Sequence, residues 1–132
     1  MKIKEITIRD VQDIINNATS KLEVYELYRI TEFENIQKSF KQFFNLDFEI
    51  DHAEALLNNE KQGEHHPNNL QLLLKYHNGK KNKNSWNRFT FDEQVDYIKK
   101  SVALHSLVAD KFEVEIDNKI LDSLLNRLKE IY

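Results

Sequence analysis

Asp51 and His52 stand side by side in this chain, Asn69 follows His52 by 17 residues, and Asn78 follows Asn69 by 9. Asp51 and Asn78 offer hard oxygen atoms, the ligand type that Mg²⁺ prefers. Two such ligands leave coordination positions for water and a substrate phosphate. His52, with an ordinary pKa near ~6.5, suits a general base at neutral pH. Neighbouring side chains on a strand point to opposite faces. Asp51 and His52 therefore share a site only where the strand end bends or bulges. The Asn69 amide, with two donors and an acceptor oxygen, can bridge backbone groups across the intervening loop and hold that bend.

These residues need elements to position them. Leu46, Phe48 and Ile50 alternate as in a strand that runs into Asp51-His52, and Leu70, Leu72 and Leu73 sit in a second strand. Asn78 falls at the start of a short helix. A strand, a loop, a strand and a helix let Asp51, His52 and Asn78 converge from separate elements. The ends of the chain read as helical. Capping-box patterns occur at Ser20–Glu23, Thr31–Glu34 and Thr90–Glu93. Phe33, Ile36, Phe40 and Phe43 form one apolar stripe, Phe91, Val95, Ile98 and Val102 a second, and Leu121, Leu124, Leu125 and Leu128 a third. These stripes read as core. Asp10 and Asp117 are candidate caps of further helices. Phe112, Val114 and Ile116 alternate like a strand, as do Ile6 and Ile8. Residues 58–69 and 78–88 are polar and read as exposed loops or a short exposed helix.

The segment from Asp51 to Lys81 resembles the HNH endonuclease family and its ββα-metal fold. That family pattern is an Asp-His pair ending a strand, an Asn opening the next strand, and a His or Asn nine residues on. Here the positions are Asp51-His52, Asn69 and Asn78, with the strand Asn69–Leu73 reading Asn-Leu-Gln-Leu-Leu and a helix start Asn78-Gly79-Lys80-Lys81. The resemblance covers residues 46–90. Lys83 to Gln94 is more loosely similar to HNH domains of bacterial restriction enzymes. The resemblance implies Asp51 and Asn78 as ligands of one Mg²⁺ or Mn²⁺ ion. It implies His52 as the base that activates water, and Asn69 as the residue that fixes the loop and orients the histidine. It also implies DNA as substrate and products with 5′-phosphate and 3′-hydroxyl ends. Asn82 lies where some members place a further ligand.

The chain departs from the family in having no cysteine, where many members bind a structural zinc through two CxxC pairs. No structural zinc is expected, and packed helices must replace it. His77 occupies a position often held by a zinc cysteine and reads as a strand–helix junction or phosphate contact. His65 and His66 read as an exposed loop pair, His105 as a core histidine, and Trp86 as a packing anchor. Lys80, Lys81, Lys83 and Arg88, next to the motif, read as phosphate contacts.

Charge and composition bound the rest. Lysine and arginine number 19 against 22 acidic residues, a net charge of −3. Residues 61–100 hold 8 basic and 4 acidic side chains and form the one positively balanced block. Two glycines and one proline argue against all-β sandwiches and glycine-rich phosphate loops. No apolar run reaches the ~20 residues of a membrane span, and the N-terminus lacks a signal-peptide core. The expectation is one α+β domain: a helical part at 1–45, a ββα-metal core at 46–90 and a helical part at 91–132. The expected activity is metal-dependent hydrolysis of DNA phosphodiesters in the cytoplasm, in restriction or phage defence. A homodimer or a larger nuclease assembly fits the same reading. The alternatives are a cleavage module of a multi-domain nuclease and a non-catalytic DNA-binding protein with an HNH-like core.

Overall fold

The computed structural model describes residues 8–56, 62–109 and 118–132. Among them the chain is α+β, with five helices and a two-stranded antiparallel sheet. The order is α1 (Ile8–Thr19), α2 (Val24–Phe44), β1 (Phe48–His52), β2 (Leu70–Leu74), α3 (Lys75–Lys81), α4 (Phe91–Ala109) and α5 (Asn118–Ile131). A single 3₁₀ turn, Pro67–Asn69, leads into β2.

Local signals explain most boundaries. Glu23 caps α2, its backbone N–H donating to Glu26 Oε1 at 3.0 Å. The helix then runs through Thr31, so the second capping-box pattern lies in a helix interior and starts nothing. The apolar positions on either side of Thr31 continue one helical face, which outweighs a local cap. Asn45 ends α2 with φ 53°, a left-handed conformation that asparagine tolerates. The Thr90 box operates as read: Thr90 N–H donates to Glu93 Oε1 at 3.0 Å and Glu93 N–H to Thr90 Oγ1 at 3.1 Å. Asp10 lies within α1 rather than at its start, and Ile8 is helical rather than extended. The expected strand at residues 112–116, the Asp117 cap and Ile6 lie outside the described residues.

The core joins Phe33, Ile36 and Phe40 of α2 to Phe48 of β1 and Leu70 and Leu72 of β2. Ile98 and Val102 of α4 and the leucine stripe of α5 close it. Phe43 is the exception in its stripe and is exposed, while Phe44 packs against the core instead. His105 is half-buried beyond that core. The sheet is held on its far side by α4. Gln94 accepts from Leu72 N–H at 2.7 Å and donates to Leu72 O at 3.0 Å, and Tyr97 Oη accepts from Leu74 N–H at 2.9 Å. Side chains thus supply β2 with the hydrogen bonds a third strand would have made.

Candidate functional site

β1 and β2 pair residue for residue, from Phe48 opposite Leu74 to His52 opposite Leu70. No bulge interrupts them, and the chain bends just past the Asp51-His52 pair, at Ala53 and Glu54. Asp51 and His52 line one cleft of about 260 Å³, together with Asn78, Lys81, Asn82 and Lys83. Asp51 reaches α3, while the His52 ring meets the loop that connects the strands.

Asp51 is buried and accepts one hydrogen bond at each carboxylate oxygen. Opposite it on β2, Gln71 Nε2 donates to Asp51 Oδ2 at 3.0 Å, and Lys81 Nζ donates to Oδ1 at 3.0 Å. The same ammonium donates to the His52 carbonyl oxygen at 2.9 Å. Burial pushes the Asp51 carboxyl above its usual range, against the opposing pull of Gln71 and Lys81. Asn78 sits one turn before Lys81 on the same helix face and donates its Nδ2 to Glu49 Oε1 at 3.2 Å. Asn82 ends α3 with φ 50°, its N–H returning to Asn78 O at 2.9 Å.

His52 is half-buried, and its Nε2 lies 2.8 Å from His65 Nδ1. Desolvation, then the proximity of His65 and Lys81, lowers its pKa to about 4. The imidazole is neutral at pH 7, the form a base requires. His65 is not simply an exposed loop residue, and the described residues around it are held by several hydrogen bonds. Asn69 Oδ1 accepts from Glu54 N–H at 2.8 Å, and its Nδ2 donates to Glu54 O at 2.9 Å and Glu64 O at 2.7 Å. Asn69 therefore ties both ends of the loop to the start of β2. Gly63 passes so close that a Cβ there would stand 1.9 Å from Glu54 O, which only glycine avoids. His66 Nδ1 accepts from Asn68 N–H at 3.0 Å, so its proton sits on Nε2 and bonds Glu26 of α2.

Two of the four expected phosphate contacts are corrected. Lys81 is fully buried in its pairing with Asp51. Arg88 stacks 3.8 Å from the Tyr132 ring and donates to the carbonyls of Leu70 (2.8 Å), Tyr132 (3.0 Å) and Pro67 (3.2 Å). It fastens β2 to the end of α5. Lys80 and Lys83 are exposed, and of these Lys83 lines the cleft. A hydrogen bond of 2.6 Å between His77 Nδ1 and Tyr97 Oη joins α3 to α4. Trp86 donates its backbone N–H to Ala53 O at 2.8 Å and keeps part of its ring exposed.

Comparison with protein-family models, with curated proteins and with solved structures found no match. Among the described residues no helix is long and apolar enough to cross a membrane. No cluster of three or more His, Cys, Asp or Glu side chains forms a ready metal cage among them either.

A small dication must therefore be judged on two protein donors. Asp51 and Asn78 supply hard oxygens, and a carboxylate has about four lone-pair sites, of which Asp51 uses two. Asn78 uses its amide nitrogen on Glu49, which leaves Oδ1 as the ligand atom. The donor chemistry fits Mg²⁺ or Mn²⁺, with the Lys81 ammonium competing for Asp51 Oδ1.

Proposed function

We propose that the chain is a metal-dependent DNA endonuclease of HNH type, acting in restriction or phage defence. One observation carries the reading. A strand, a second strand and a short helix bring Asp51, His52 and Asn78 to a single cleft. The sequence resemblance would place the same residues there in the same roles.

His52 removes a proton from the water that attacks phosphorus. Its neutral state at pH 7 leaves a lone pair for that proton. A bound phosphodiester brings negative charge to the ring and raises its affinity for the proton when needed. Asn69 holds the loop against which the ring rests. Asp51 and Asn78 would hold Mg²⁺ or Mn²⁺, which supplies Lewis-acid stabilisation of the leaving 3′ oxygen. Lys83, at the cleft, is placed to meet the phosphate backbone.

The test is nicking of supercoiled plasmid by the purified chain with Mg²⁺, with Mn²⁺ and with EDTA. Nicking is expected with metal and not with EDTA. His52→Ala should lower the rate by about 10²–10⁴-fold, the usual contribution of a general base, with an unchanged circular dichroism spectrum. Undiminished nicking by His52→Ala, or none by the wild type with either metal, refutes the reading.

A further inference from the structure

We infer that His65 is a positioning residue for His52: its Nδ1 accepts a hydrogen bond from His52 Nε2–H and so keeps His52 Nδ1 bare for the attacking water. The inference rests on the nuclease reading above and extends it to a residue outside the Asp51, His52, Asn69 and Asn78 set.

The geometry requires a shared proton. Two ring nitrogens 2.8 Å apart cannot both present lone pairs, so one of them donates. If His65 donated, His52 would carry its own remaining proton on Nδ1 and would have no base left. A His52 that serves as the base needs the other arrangement, with its proton on Nε2. Burial holds the His65 ring below the usual imidazole range, against the opposing pull of the Glu34 carboxylate of α2. With Nδ1 turned to His52, Nε2 is the His65 nitrogen left to carry the proton. Its Nδ1 is then the acceptor. Lys81 also acts on the His52 ring, and His66 on the His65 ring.

The backbone keeps His65 in register. Asn69 Nδ2 bonds the carbonyl of Glu64, the residue immediately before it, at 2.7 Å. Gly63 N–H donates to Ala55 O at 2.9 Å, closing the loop two residues earlier. The chain of contacts runs from Asn69 through Glu64 to His65 and on to His52. Asn69 and His65 thus act on the same ring, one through the backbone and one by direct contact.

Nitrogen-15 NMR of the wild-type chain, with and without Mg²⁺, tests this without relying on activity. A scalar coupling between His52 Nε2 and His65 Nδ1 is expected, with the proton covalently on His52. No coupling, or the proton on His65 Nδ1, overturns the inference. In the nicking assay, His65→Ala should lower kcat about tenfold, the worth of one hydrogen bond, at unchanged KM. His65→Asn, whose amide oxygen can stand in for Nδ1, should recover most of that loss. Wild-type nicking with an unchanged kcat in His65→Ala removes the role alone. A wild-type chain that shows the coupling and never nicks DNA removes the nuclease reading, and the role with it.

Discussion

Replacing Lys81 by methionine gives the sharpest test of how the cleft is built. The Lys81 side chain is 1% exposed and that of Asp51 is 6% exposed, with Nζ 3.0 Å from Oδ1. This is a buried ion pair, and removing one partner strands the other charge. Breaking such pairs costs ~3–5 kcal/mol. Methionine fills much of the same volume, so the loss is electrostatic rather than a cavity. The His52 carbonyl also loses its donor at 2.9 Å. The remaining donor to Asp51 is Gln71, at 3.0 Å.

The pH dependence follows from the sign of the shift. Burial already raises Asp51, and Lys81 opposes that rise. Without Lys81 the folded-state pKa climbs further above the unfolded value of 3.8. An acid with a raised folded pKa makes the fold less stable as pH increases from the unfolded pKa to the folded one. Lys81→Met should therefore be most destabilised at neutral pH and should recover toward pH 4. The double variant Lys81→Met/Asp51→Asn removes both charges and should recover most of the loss at pH 7. Guanidinium unfolding in EDTA between pH 4.5 and 8 measures all three. A Lys81→Met protein within about 0.5 kcal/mol of wild type, or a double variant no more stable than the single, would refute the reasoning.

Two further outcomes are expected. His52 has a folded pKa of about 4 against an ordinary 6.5, so its neutral form stabilises the fold above pH 6.5 and that contribution is lost as pH falls toward 4. The loss is roughly 3 kcal/mol, and His52→Gln should show an unfolding free energy that declines less over that window. A parallel decline in both proteins would show that His52 titrates normally in the fold. Asn69→Ala removes three side-chain hydrogen bonds at 2.7–2.9 Å, worth about 2–3 kcal/mol together. Hydrogen exchange at Glu54 and through the following loop should accelerate while the amides of β2 change least, and unchanged exchange at Glu54 would contradict the clamp.

What the residues disclose in advance depends on how far each side chain's partner lies along the chain. Alternation and caps are local, so β1, β2 and the start of α4 are legible from a few residues each. Thr31 misleads because a cap pattern is equally local, and only the longer apolar face shows that the helix continues. The placement of Asp51, His52 and Asn78 near one another follows from the strand–loop–strand–helix order. The Gln71 partnership follows only from register: once His52 stands opposite Leu70, Asp51 must meet Gln71. Lys81 was half-legible in the same way. It lies three residues after Asn78 and shares its helix face, so a helix that turns Asn78 to β1 also turns Lys81 inward. Lys80 falls on a different face and remains outside. His65 was not legible, because its meeting with His52 depends on a loop folded by Asn69 and by the close passage at Gly63, neither of which has a periodicity. The same distinction governs the basic block at residues 61–100. Sequence counts its charges equally, but burial divides them. Lys81 neutralises Asp51 and Arg88 ties β2 to α5, while Lys80 and Lys83 face solvent. A phosphate backbone at this cleft would therefore meet a narrower positive surface than the block's net charge implies.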